Sequence, residues 1–209
     1  LTGSLIGSNV STSGTGILNQ AASGVINGGG VMLTQGSSGT SILAGANTYT
    51  GATTVTGGTL QLGATNRIAD TSNLVVNGGI FNLVGFNDTV GTVTMSSGSI
   101  IGTGTLTGSS YALQGGTVNA ILGGSGPITV SSGTTALGSA GRVGTGKALT
   151  VSSGQLTLGG NEAVATYQQT GGTLAGAFTL TSTAAYDMQA GTVSANLGGA
   201  VLTGAFMDL

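Results

Sequence analysis

Three basic and five acidic side chains are all the charged chemistry in this chain: Arg67, Arg142 and Lys147 against Asp70, Asp88, Glu162, Asp187 and Asp208. Cleavage of a glycosidic bond needs two carboxylates flanking one site, and a polysaccharide lyase would add clustered Asp, Lys or Arg in a groove. Asp88 and Glu162 are separated by several of the repeats described below, which argues against a shared site, and Asn87-Asp88 reads as a turn. Each acid is therefore expected to be a solvated loop or turn residue, with no catalytic residue and no enzyme activity. Histidine and cysteine are absent, which removes imidazole bases, thiolates, disulfides and the usual zinc ligands together. Calcium-binding nonapeptide helices place an aspartate in nearly every turn, whereas these aspartates are scattered singly, so no metal is expected. Glycine-rich stretches such as 102–104 and 123–126 open no helix and are read as turns, so neither phosphate nor any other cofactor is expected.

Three cations form no stripe, so nucleic acid is not an expected partner, and the formal net charge of -2 supplies no steering field. No run approaches the roughly 18 apolar residues of a spanning helix, so this segment is not expected to insert in a membrane. Only 4% of the residues are charged, against roughly 25% in ordinary soluble domains. Solubility must come from Ser, Thr, Asn and Gln. Without a period, 43 glycines would read as low complexity.

A period is present. Small-residue pairs followed by a strand pattern align on Gly39, Gly58, Gly79, Gly98, Gly116, Gly133, Gly154, Gly172 and Gly191. The gaps between these markers cluster at roughly 19 residues, the spacing of a solenoid repeat. Two residues after each marker comes an apolar or small residue, including Leu60, Phe81, Ile100, Val118, Leu156, Leu174 and Val193, with Ser41 and Thr135 as the polar members. The column between is mostly threonine. Alternation with period two is a strand with one buried face, so the apolar columns point inward and the threonines outward. Upstream of the glycines the alternation recurs: Val55, Val76, Met95, Leu113, Val130, Val151, Gln169 and Met188 fall in one inward column, and Thr53, Leu74, Val93, Tyr111, Ile128, Leu149, Tyr167 and Tyr186 in another. Each coil then has two strands meeting at a corner where glycine supplies positive φ or close approach. The third side and its loops carry most of the charges.

Repeats of this length predict a solenoid in which each coil buries its apolar face on its neighbours. Parallel crossovers are overwhelmingly right-handed. The expected fold is all-β, a right-handed parallel β-helix with coils of about 19 residues. A single solenoid over 1–209 is expected, with irregular first coils at 1–38, regular coils at 39–197 and a terminal strand at 198–209. Gln169, in an inward column, calls for a hydrogen bond to backbone or a local register shift.

The segment from Gly45 to Gly63, GANTYTGATTVTGGTLQLG, resembles the passenger-associated repeat of bacterial autotransporters, N-T-Y-T-G-x-T-x-V-x-x-G-T-L-x-L, with Asn47, Tyr49, Gly51, Thr53, Val55, Gly58, Leu60 and Leu62 in place. Weaker echoes, VVNGGIFNL at 75–83 and LTVSSGQLTL at 149–158, extend the likeness. The resemblance implies a β-helix exported through the outer membrane to the bacterial surface. From it follows the functional expectation: an extracellular structural solenoid, a surface stalk or fibre subunit with an adhesive or biofilm role, touching cell-surface or matrix glycans. Both termini read as apolar and strand-like, which adds end-to-end association with itself as an expected partner. A passenger fragment acting as a monomeric stalk is the alternative. Ice binding by the threonine column and a polysaccharide-active enzyme rank below both, since the neighbouring outward column is poor in threonine.

Overall fold

The computed structural model describes residues 1–199 together with 202 and 203. Among the described residues there is no helix, and parallel strands stack as a β-solenoid of about 10 turns, equivalent strands lying ~19 residues apart. The expected terminal strand at 198–209 lies mostly outside the described residues. Within it, Leu202–Thr203 pairs with Tyr186 and Asp187.

Each regular coil presents a continuous inward stack on its first side. One row runs Leu33, Thr53, Leu74, Val93, Tyr111, Ile128, Leu149, Tyr167, Tyr186. The next begins at Gln35 and runs through Val55, Val76, Met95, Leu113, Val130, Val151 and Gln169 to Met188 in the same ladders. These side chains are buried, and each aliphatic one removed from water contributes roughly 1.5–3 kcal/mol. Because the sheets are parallel and stacked, like residues sit over like, and the core is a column rather than a centre.

On the second side Ser41, Leu60, Phe81, Ile100 and Val118 lie in register. Above Val118 the expected column is corrected. Val118 pairs with Leu137, while Thr135 pairs with Gly116. The first side keeps Leu113 over Val130, so the upper coil has two more residues around its corner, and the slip is two. A slip of two leaves every side chain on its own face, which is why burial tolerates it. The column then continues from Thr135 through Leu156 and Leu174 to Val193. Leu60, Phe81, Ile100, Val118 and Leu174 are 0% exposed and Leu156 is 1%. Val193 is half-buried.

The third side is more regular than a set of loops. Asp88 pairs with Leu106, Leu106 with Leu122, and Leu122 bridges Val143. Glu162, Leu180 and Leu197 continue this edge. At the corner between the first two sides, Gly58 has φ 47 and Gly154 φ 69. A Cβ on Gly58 would meet the Gly39 carbonyl oxygen at 2.3 Å, so the turn requires glycine both for its conformation and for the approach of the coil beneath. The left-handed residue at Gly98, Gly116, Gly133, Gly172 and Gly191 is also the marker glycine, whereas at Gly79 it is the preceding Gly78. Gly39 has no positive φ, and the atom nearest a Cβ built there, Ile17 Cγ2 at 2.6 Å, belongs to an exposed side chain.

Candidate functional site

Asp88 and Glu162 stand on the third side, and the structure corrects their reading as solvated, whereas Asp70 is exposed. Asp88 is 1% exposed and Glu162 2%. Both stand in the strand alternation, as the pairs Asp88/Val90 and Glu162/Val164 show in the sequence; that spacing was the missed signal. Asp88 Oδ2 accepts from the backbone N–H groups of Arg67 (2.8 Å) and Ile68 (3.2 Å) in the coil below. Glu162 accepts from Arg142 and Val143, at 2.9 Å each. Each arginine closes its own loop: Arg67 Nε donates to Thr65 O and Nη1 to Ala44 O, and Arg142 donates in the same way to Ala140 O and Asn119 O.

Burial pushes the Asp88 carboxyl up to about 6 against the lowering effect of its two backbone donors, and its Oδ1 is buried with no hydrogen-bond partner. Burial raises Glu162 likewise, opposed by the N–H groups of Arg142 and Val143. Asp88 and Glu162 meet different coils, so the structure does not bring them together. Asp187, by contrast, lies on the outer face, where Gln168 and Gln189 each donate to its Oδ2 at 2.9 Å and hold it below the usual carboxylate range.

The Lys147 side chain is 0% exposed. It follows the inward parity of Leu149 and Val151. Its Nζ donates to Gly123 O (2.6 Å) and Gly126 O (3.1 Å) and sits 4.7 Å from the Tyr111 ring centroid. Burial depresses its pKa, and the ring face and carbonyls replace part of the lost hydration. The Tyr111 hydroxyl accepts from Gly108 N–H and donates between the carbonyls of Leu106 and Gly123, and burial pushes it up to about 12.

Gln169 is satisfied by side-chain hydrogen bonds. Its Oε1 accepts from Tyr167 (2.8 Å), and its Nε2 donates to the carbonyls of Gly172 and Thr192 (3.1 Å each). Gln35 does the same at the equivalent corner seven coils lower, donating to Ser37 and Gly39 and accepting from Thr12. Inward glutamines thus tie the corner's carbonyls, which a parallel stack leaves short of donors. Tyr167 and Tyr186 meet edge to face, centroids 6.0 Å apart.

Outside, the first side displays Thr34, Thr54, Val75, Thr94, Ala112, Thr129, Thr150, Gln168 and Asp187 in successive coils. Valine and alanine interrupt this threonine row, and Ile80 and Ala136 interrupt the one on the second side. No group of three or more His, Cys, Asp or Glu able to hold a metal occurs among the described residues.

The segment that carries the sequence motif spans two coils joined by a polar knot. Asn47 donates to Arg67 O (2.8 Å) above and accepts from Ile26 N–H (2.9 Å) and Gln20 Nε2 (2.6 Å) below. Tyr49 is fully buried, its hydroxyl 2.6 Å from Thr53 Oγ1. Thr50 accepts from Gly30 N–H at 2.9 Å. A Cβ on Gly51 would lie 2.4 Å from Val31 O. Residues 33–62 match the family model of the passenger-associated-transport-repeat. These residues carry a passenger-associated transport repeat of the autotransporter type, in a chain whose described residues form a β-solenoid. Comparison with curated proteins and with solved structures finds no match. In this solenoid the motif residues are those that lock one coil to the coils above and below, so the repeat is a stacking device. The polar groups inside it are committed to backbone, and the chemistry open to a ligand is that of hydroxyls and amides on flat outer faces.

Proposed function

We propose that this chain is a structural segment of a secreted, cell-surface stalk, and that it adheres through its faces and has no discrete catalytic site. One observation carries the reading: the buried polar groups with the strongest chemistry, Asp88, Glu162, Lys147 and Gln169, serve backbone groups of the solenoid, leaving threonine, glutamine and asparagine rows outside. Such rows suit hydrogen bonding to the hydroxyls of surface or matrix glycans, with little dependence on salt. The passenger-associated repeat supports export to the cell surface.

Electron microscopy of the purified chain, with binding to immobilised neutral and acidic polysaccharides and an assay of their cleavage, tests this. Rods on the order of 50 Å, from about ten strands spaced by about 4.8 Å, that retain glycan without cleaving it are expected. Robust turnover of an acidic polysaccharide would overturn the structural reading. Long filaments at rising concentration would move the function to end-to-end assembly.

A further inference from the structure

We infer that the stacking unit of this solenoid is a module of four coils that is present twice, and that a coil seats well only on the coil preceding it in the module. The single coil is the period of the fold, but it is not the period of its polar locks. Arg67 recurs as Arg142 and Tyr111 as Tyr186 at one identical interval, four coils on, and Asp88 recurs as Glu162 at an interval shorter by a single position. The bonds recur with them. Asn66 N–H donates to Asn87 O as Gly141 N–H donates to Asn161 O. Thr105 N–H donates to the Asn87 side chain, and Thr179 N–H to that of Asn161. The Tyr186 hydroxyl reaches Leu180 O and Gly198 O as that of Tyr111 reaches Leu106 O and Gly123 O.

Among the places where the modules differ, one does so in a compensated way. Ser72 in the first module donates to Gly51 O at 2.6 Å and lies 3.3 Å from Thr53 Oγ1, beneath which the Tyr49 ring fills the interior. At the interval that relates the two arginines, the counterparts of Ser72, Gly51, Thr53 and Tyr49 are Lys147, Gly126, Ile128 and Gly124. Lys147 reaches over the position Tyr49 would occupy, to the carbonyl of Gly126. A large residue below a small one has become a small one below a large one, which conserves volume in a close-packed core. Tyr49 and Lys147 are therefore mutually exclusive in adjacent coils. Stalk length changes in steps of four coils, about 19 Å at about 4.8 Å per strand, and the guanidiniums of Arg67 and Arg142 stand one such step apart. None of this depends on what the outer faces bind.

Two deletions of equal length separate the idea from a general tolerance of shortening. Removing residues 75–149 joins Leu74 to Thr150, keeps Ser72 over Tyr49 and brings Glu162 to the N–H groups of Arg67 and Ile68. Removing 64–138 joins Gly63 to Ser139 and sets Lys147 over Tyr49. In thermal melts followed by circular dichroism, the first should unfold cooperatively and the second at least about 5 °C lower, with Lys147→Ser in the second recovering the gap. A three-coil deletion, 75–128, leaves the Arg67 and Ile68 N–H groups without a carboxylate and should melt below the first despite its greater length. Failure of the first to fold or a three-coil deletion as stable as the first would overturn the module, and equal melting of the two four-coil deletions or no recovery by Lys147→Ser would overturn the exclusion of Lys147 by Tyr49.

Discussion

Asp88 and Glu162 contribute a pH response opposite to the usual acid lability, while Lys147 and Asp187, whose pKa values are lowered, act the other way. Asp88 is raised from 3.8 to about 6, and Glu162 is raised as well. A carboxyl whose folded pKa lies above its unfolded value binds more protons when folded. Its favourable contribution is complete below the unfolded pKa and is lost as pH rises through the folded one. For Asp88 that window runs from 3.8 to about 6, worth at most about 3 kcal/mol at roughly 1.4 kcal/mol per unit. The melting temperature should accordingly be higher at pH 4 than at pH 8, and Asp88→Asn should flatten the profile; a chain that loses stability steadily on acidification would contradict this. At Lys147 the stem fills core volume as well as carrying the amine. Lys147→Ala should cost about 2–4 kcal/mol in urea titrations through the cavity it leaves, and Lys147→Met markedly less, because the stem is replaced and the buried charge removed. Val84 holds φ 59, a conformation that strains a β-branched residue by about 1–3 kcal/mol. Val84→Gly should therefore raise stability by about 1 kcal/mol despite the added chain entropy.

At the scale of the strand, the alternation decides which substitutions matter. Leu156 is 1% exposed and stacked between Thr135 and Leu174, so Leu156→Asp places an unpaired carboxylate in the column and should prevent folding. Thr173 lies on the outer face between Gln155 and Thr192, and Thr173→Asp should change stability by no more than about 0.5 kcal/mol. Equal melts for the two variants would mean that the assignment of inner and outer faces is wrong. Much of this was legible beforehand, because period two and the recurring glycines report burial directly. The pairing of Val118 with Leu137 was not legible, since a slip of two residues preserves parity and leaves no trace in the pattern. Asp88 and Glu162 were misread for a related reason: composition says charges are outside, and only their parity with Val90 and Val164 says otherwise.

Across the whole molecule each coil touches only its neighbours, so stability is a sum of coil and interface terms and openings begin where a neighbour is missing. In hydrogen exchange of the full chain, amides in the central ladder of Val93 and Met95 should be protected longest, and those of Val10–Thr12 should exchange sooner; uniform protection would indicate a globally cooperative unit instead. By itself the sequence determined the solenoid, its coil length and the identity of most of its core, because a one-dimensional stack writes the same local pattern again in every turn. Which polar residues were turned inward, how the carboxylates hold the loops beneath them and why Tyr49 and Lys147 exclude one another were decided only by the tertiary structure. Those relations join side chains one coil or four coils apart, and they arise from contact between coils, a dimension along which the local alternation carries no information.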